Sequence, residues 1–121
     1  MKSNKQITRG SIWLVDLDPT VGHEQAKKRP CLVLSSTIFN QGPAELIAVL
    51  PITSKDRNLW WNVKVSPEES GLPKTSFIIC TQIRTISIQR LISARIGSIN
   101  TATLKQVEER IKTLLALGLE D

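Results

Sequence analysis

The chain has 121 residues, enough for one domain with a single substantial core and too few for two. Its 40% apolar and 22% charged residues are those of a soluble globular protein; no apolar run approaches the roughly 18 residues that cross a bilayer, and "MKSNKQITRG" has no apolar segment behind its charges, so neither a membrane span nor a secretory signal is expected. Sixteen Lys and Arg against eleven Asp and Glu leave a formal charge of +5, which favours polyanionic partners, nucleic acid ahead of anionic membrane surfaces.

"SIWLVDL" (11–17) reads as a strand, rich in β-branched and aromatic residues and stopped by the turn signal Asp18-Pro19. A long polar loop, 18–29, follows and carries the only histidine, His23. Arg29-Pro30 opens a second strand, "CLVLSS", with the proline at the position where a strand tolerates one. "TIFNQGP" is a connector with room for one helical turn, and "ELIAVLPIT" (45–53) is a near-continuous apolar run. "WWNVKVS" (60–66) alternates as a half-buried strand, with Trp60 and Trp61 on opposite sides, and "PEESGLPK" is a turn-rich link. "SFIICTQIRTIS" (76–87) reads as one long strand and "LISARIGSI" (91–99) as another. The last element is a helix with Asn100 or Thr101 as cap, Leu104, Val107, Ile111, Leu114 and Leu115 on one face, and Gly118 as stop. The expected fold is α+β but mainly β: a partly open, strongly curved antiparallel barrel with a C-terminal helix, one domain over 1–121 with residues 1–8 flexible.

Metal chemistry has no ligand set here: one histidine and two distant cysteines offer no zinc spacing, and the acids do not cluster. Cys31 and Cys80 sit in apolar runs, where buried reduced thiols are expected rather than nucleophiles or a disulfide. No glycine-rich phosphate loop or dinucleotide fingerprint is present. Polar residues gather instead at strand ends: His23, Glu24, Gln25, Lys27, Lys28 and Arg29, then Thr53 and Ser54, then Thr81, Gln82 and Arg84. RNA cleavage by its own 2′-hydroxyl suits such a set, because it needs a base, an acid and a fixed cation for the phosphoryl charge, with no cofactor and no protein nucleophile.

"RGSIWLVDLDPTVGHEQAKKRPCLVLS" (9–35) resembles the first motif of the MazF/PemK toxin family, whose pattern runs RG-x-[IV]-[WY], DP-x-x-G-x-EQ and RP-x-[LV]-[IV]. "VLPITS" (49–54) resembles the second motif, "QIRTIS" (82–87) the third, and "L…VEERIKTLLAL" the closing helix, so the likeness covers roughly 8–117. The resemblance implies an SH3-like barrel that dimerises in the cytoplasm and cuts single-stranded RNA without metal or cofactor, leaving 2′,3′-cyclic phosphate and 5′-hydroxyl ends. It also implies a cognate antitoxin whose acidic C-terminal segment lies across the RNA site.

Carried over position by position, Arg29 of the "RP" pair matches an arginine credited with transition-state stabilisation, and Thr53 a threonine credited with holding phosphate. His23, in "GHEQ", matches a proposed acid or base, and an imidazole exchanges protons near neutrality. Glu24 and Gln25 match RNA-contacting residues, with Glu24 a further candidate base. Gln82 and Arg84 match the third motif; Lys28, Ser54 and Thr81 complete the RNA-contacting set. Thr81 stands where several relatives carry an acid, and a threonine is no base at neutral pH, so the acid and base roles stay open between His23 and Glu24. Two rival readings stay open with it: an inert or slow RNA-binding barrel, and a toxin that poisons DNA gyrase.

Overall fold

The three longest apolar runs become the central strands β1 (Ser11–Asp16), β2 (Lys28–Val33) and β3 (Leu46–Thr53), which pair antiparallel in chain order. They belong to a computed structural model that describes residues 7–24 and 27–120. Both faces of these strands are covered, which is why they read as continuous apolar runs rather than as alternation. Ile12, Leu32, Leu50 and Ile52 face one cluster, closed by Val107 and Ile111. Trp13, Val15, Cys31, Val33 and Val49 face a second, with Ile7, Leu17 and Ile86.

The remaining elements are α1 (Thr37–Asn40), β4 (Asn62–Val65), α2 (Pro67–Ser70), β5 (Ser76–Ile79), β6 (Arg84–Ser87), a 3₁₀ turn (Ile88–Arg90), β7 (Gly97–Ser98) and α3 (Thr101–Leu115). Strand order is β4-β5-β3-β2-β1-β7, with β6 also on β3. The sheet curls into a half-barrel that packs against the terminal helix, the mainly antiparallel β architecture expected from the sequence.

Two expected strands are corrected. Segment 76–87 is not one strand but two, separated by a turn over 80–83. Val49 faces Arg84 while Ile52 faces Ile78, so three steps along β3 span six along its partner and the surplus bulges outward. Pro51 sits opposite this bulge. Leu34 N–H donates to Ala48 O at 2.8 Å, so even-numbered β3 residues direct their backbone groups to β2 and odd ones to the other edge. The N–H that Pro51 lacks therefore falls in the gap between β5 and β6, where no partner strand needs it.

Segment 91–99 likewise forms only the two-residue β7. It follows the free edge of β1 piecewise: Ile92 N–H donates to Leu14 O at 3.0 Å and Ile96 N–H to Ile12 O at 2.7 Å. Between them the Ser93 hydroxyl, not a main-chain carbonyl, accepts from Leu14 N–H at 3.2 Å. A side chain has taken a ladder position, so the regular pairing stops there.

Gly97 lies at a close approach of two backbones. A Cβ placed on it would stand 1.9 Å from Ser70 O, so only glycine lets α2 reach β7. Glu69 on α2 then accepts from Asn100 N–H at 2.8 Å, and Asn100 caps α3 by accepting from Thr103 N–H at 2.8 Å. The helix ends on Ala116, held left-handed at φ 55°, ahead of the expected stop at Gly118. Thr103, Val107 and Ile111 are its buried residues, whereas Leu114 and Leu115 are exposed, so the apolar face outruns the sheet beneath it. At the other end Ile7 is fully buried and its carbonyl accepts from the buried Asn40 side chain at 2.8 Å, so the anchored chain starts before the expected limit of residue 8; residues 1–6 lie outside those described.

Cys31 and Cys80 are both free and buried. Burial pushes each thiol from 9.0 up to about 12, against a smaller downward pull from Arg29 and Arg84 at Cys31 and from Arg110 at Cys80. Each thiol thus favours the fold below about pH 9, where the unfolded chain is also protonated, and that contribution is lost as pH rises towards 12. Iodoacetamide at pH 8 is expected to leave both thiols unmodified until denaturant is added; modification of the native protein would contradict this environment. Gly97→Ala is expected to destabilise the fold by about 3 kcal/mol, read as a lower urea midpoint, through the clash with Ser70.

Candidate nucleic-acid interface

Strand β2 begins two residues earlier than the sequence suggests, with Lys28 opposite Asp16 and Arg29 opposite Val15. Arg29 is therefore a strand residue, half-buried, rather than the last residue of a loop. Continuing the register from Cys31 opposite Pro51 by two residues brings Arg29 across from Thr53. The two line one cleft of about 240 Å³, together with Lys28, Ser54 and Lys74. Three cations and no carboxylate line it, so the cleft suits an anion. Thr53 is buried, and its Oγ1 accepts from Lys55 N–H at 3.2 Å. A hydroxyl that accepts there still has its O–H to donate.

A second cavity of about 210 Å³ opens where the sheet bulges. Leu17, Val49 and Pro51 are its apolar lining; Glu24, Thr81, Gln82 and Arg84 supply the polar groups. Burial pushes the Cys31 thiol up to about 12, and the charges of Arg29 and Arg84 both pull the other way, to a smaller extent.

The expected site residues thus divide. Lys28, Arg29, Thr53 and Ser54 meet in the cationic cleft. Glu24, Thr81, Gln82 and Arg84 meet in the bulge cavity. His23 lines neither, but its carbonyl accepts from the Gln82 side chain at 3.5 Å, which ties its loop to the bulge. Glu24 is engaged within its own loop, where Oε1 accepts from Val21 N–H at 2.8 Å. Thr81 is exposed on the bulge. Gln25 lies outside the described residues.

Arg84 is spent differently from a phosphate ligand. Its Nη1 donates to Leu17 O and its Nη2 to Pro19 O at 3.4 Å. Arg90, which no motif singled out, donates from Nη1 to Asp16 O, at 3.0 Å, and to Asp18 O. Lys74, in the cationic cleft, was missed as well. The sequence holds no signal for either: both are single cations in polar turns, and their partners are brought to them by the fold.

The tryptophans stand apart from both cavities. Trp60 is half-exposed, with the Arg110 guanidinium 4.2 Å from its ring centre, and meets Trp61 edge to face at 5.1 Å. Among the described residues, no three His, Cys, Asp or Glu side chains gather as a metal site, and no helix is long and apolar enough to cross a membrane.

Comparison with known proteins identifies the family and the fold. Residues 8–115 match the family described as PemK-like, MazF-like toxin of type II toxin-antitoxin system. The chain is 33% identical to endoribonuclease PemK of Escherichia coli over 116 residues, covering 95% of this chain and 86% of the relative. It is 32% identical to endoribonuclease EndoA of Bacillus subtilis (strain 168) over 112 residues, covering 92% and 96%. The fold superposes on crystalline MazF from Deinococcus radiodurans with a TM-score of 0.77 at 23% identity, over 91% of this chain and 96% of that one. It superposes equally on an endoribonuclease in complex with its cognate antitoxin, from a mycobacterial species, with a TM-score of 0.74 at 21% identity over 91% and 95%. On the strength of the family match, which runs from ahead of β1 to the last turn of α3, the chain belongs to the PemK-like, MazF-like toxins of type II toxin-antitoxin systems.

Proposed function

We propose that the chain is an endoribonuclease that cleaves single-stranded RNA without metal, by attack of the 2′-oxygen on the adjacent phosphorus. The observation that carries this reading is the cationic cleft, which Arg29 of β2 and Thr53 of β3 line together beside Lys28 and Lys74. The scissile phosphate binds there. Arg29 forks onto its non-bridging oxygens, where charge grows in the transition state, and the Thr53 hydroxyl donates to the same group. A base from the 21–24 loop, His23 or Glu24, takes the 2′-hydroxyl proton; the oxygen closes on phosphorus, and the 5′-oxygen leaves with a proton. The products are a 2′,3′-cyclic phosphate and a 5′-hydroxyl, so neither a cofactor nor a covalent enzyme intermediate enters.

Bases splayed out of the strand reach the bulge cavity, where Glu24, Thr81 and Gln82 offer hydrogen-bonding groups above an apolar lining; this supports sequence-selective cleavage. The relatives named as endoribonucleases support the reaction class. The neighbour complexed with its antitoxin supports a cognate antitoxin for this chain, and an acidic segment of that partner matches the charge of the cleft. A cytoplasmic homodimer completes the proposal.

Arg29→Ala is expected to lower cleavage of a single-stranded RNA panel in EDTA by about 100-fold or more while the melting temperature stays within about 3 °C; retained cleavage would remove the assignment. His23→Ala is expected to slow cleavage of the same RNA panel about ten-fold or more; an unaltered rate would leave Glu24 as the base.

A further inference from the structure

Four consecutive carbonyl oxygens, of Asp16, Leu17, Asp18 and Pro19, are taken up by two side chains from one short stretch of chain. Arg84 takes those of Leu17 and Pro19, and Arg90 those of Asp16 and Asp18. The segment they hold is the base of the loop that carries His23 and Glu24. At that base Leu17 N–H donates to Lys27 O at 2.9 Å, and Lys27 N–H donates to the Asp18 carboxylate at 3.0 Å. Two left-handed residues, Gly22 at φ 65° and Lys27 at φ 66°, turn the chain within it. Among its described residues this loop buries almost no apolar surface beyond Leu17, and Val21 is exposed, so their packing gives its position little definition. Hydrogen bonds from two rigid, always-charged forks can define it.

We infer that Arg90 is a positioning residue for the proposed cleavage: with Arg84 it clamps the backbone of residues 16–19 and so sets the loop that brings His23 and Glu24 to the RNA. Arg84 also lines the bulge cavity, but Arg90 lines neither cavity, so its effect on the reaction runs through the loop alone. The division of labour follows from the pairing. Each guanidinium grips alternate carbonyls, Arg84 with two nitrogens and Arg90 with one, so loss of either leaves every second oxygen without its cation and frees the strand end to rotate. The centre of the cationic cleft is spared by that loss, because Arg29 and Thr53 lie within β2 and β3; of its lining only Lys28, opposite Asp16, borders the clamp. RNA binding should therefore persist while the reactive geometry is lost.

The inference rests on the proposed reaction for its kinetic half, and its structural half is read without RNA. Arg90→Met keeps the apolar stem and removes the donors. In this variant the Leu17 and Lys27 amides are expected to exchange with solvent about ten-fold faster or more, with α3 amides unchanged. In cleavage of a single-stranded RNA, R90M is expected to lower kcat about ten-fold with KM within about two-fold. In a His23→Ala background the same change is expected to cost less than about three-fold, because the residue it positions is already gone. Arg90→Lys, which keeps one charge but not the fork, is expected to fall between wild type and R90M, and it stands in should R90M fail to fold. Unchanged exchange at Leu17 and Lys27 overturns the clamp. Faster exchange with an unchanged kcat, or an equal loss in both backgrounds, overturns the positioning role. A wild-type chain that cleaves no RNA removes the proposed function instead, and the exchange comparison still decides whether Arg90 sets the loop.

Discussion

The molecule depends on a mismatch of register along β3. Its first half pairs with β6 and its second half with β5, and the partner strand spends six residues where β3 spends three. The extra backbone has to leave the sheet. It leaves at the point where Pro51 has no N–H to offer, so the interruption strands no amide donor of that residue. What is extruded carries Thr81 and Gln82, and what is uncovered behind them is the apolar lining of a cavity. A proline and a bulge that would each weaken a sheet alone thus cancel in one place and leave a recess there.

The same strand organises the charged cleft next to it. Beyond Pro51, β3 continues only to Thr53, and the pairing with β2 that ends near Cys31 would bring Arg29 opposite. Two strands running out together bring a cation and a hydroxyl to one cleft from adjacent strands, with Lys28 and Lys74 adding field and no acid among the lining residues. Beneath lies a thiol whose burial raises it to about 12 and which stays neutral, so the charges above it are not offset from inside. The core and the cleft are in this sense continuous: Cys31, two residues from Arg29 along β2, belongs to the apolar cluster.

What was legible in the residues was whatever depends on local periodicity and on ordered motifs. The runs 11–17 and 45–53 announced buried strands, Asn100 announced a helix start, and the spacing of "GHEQ", "RP", "PIT" and "QIR" announced the family. What was not legible depends on pairing over long distances. Residues 76–87 have the β-branched content of one strand, and nothing in them reports that β3 will carry a proline opposite their middle. In 91–99 the alternation is real, yet Ser93 takes a ladder position with its side chain. The partners of Arg84 and Arg90 were invisible for a simpler reason: they are carbonyl oxygens, which every residue has.

That last point has a consequence for how such a molecule can change. A grip on backbone oxygens is indifferent to the identity of the residues held, so substitutions at the tip of the loop leave the hinge at its base intact. The loop behaves as an exchangeable cassette on a fixed socket. Side chains at 20 and 21 can change while the two arginines keep the same four carbonyls of residues 16–19 in hand.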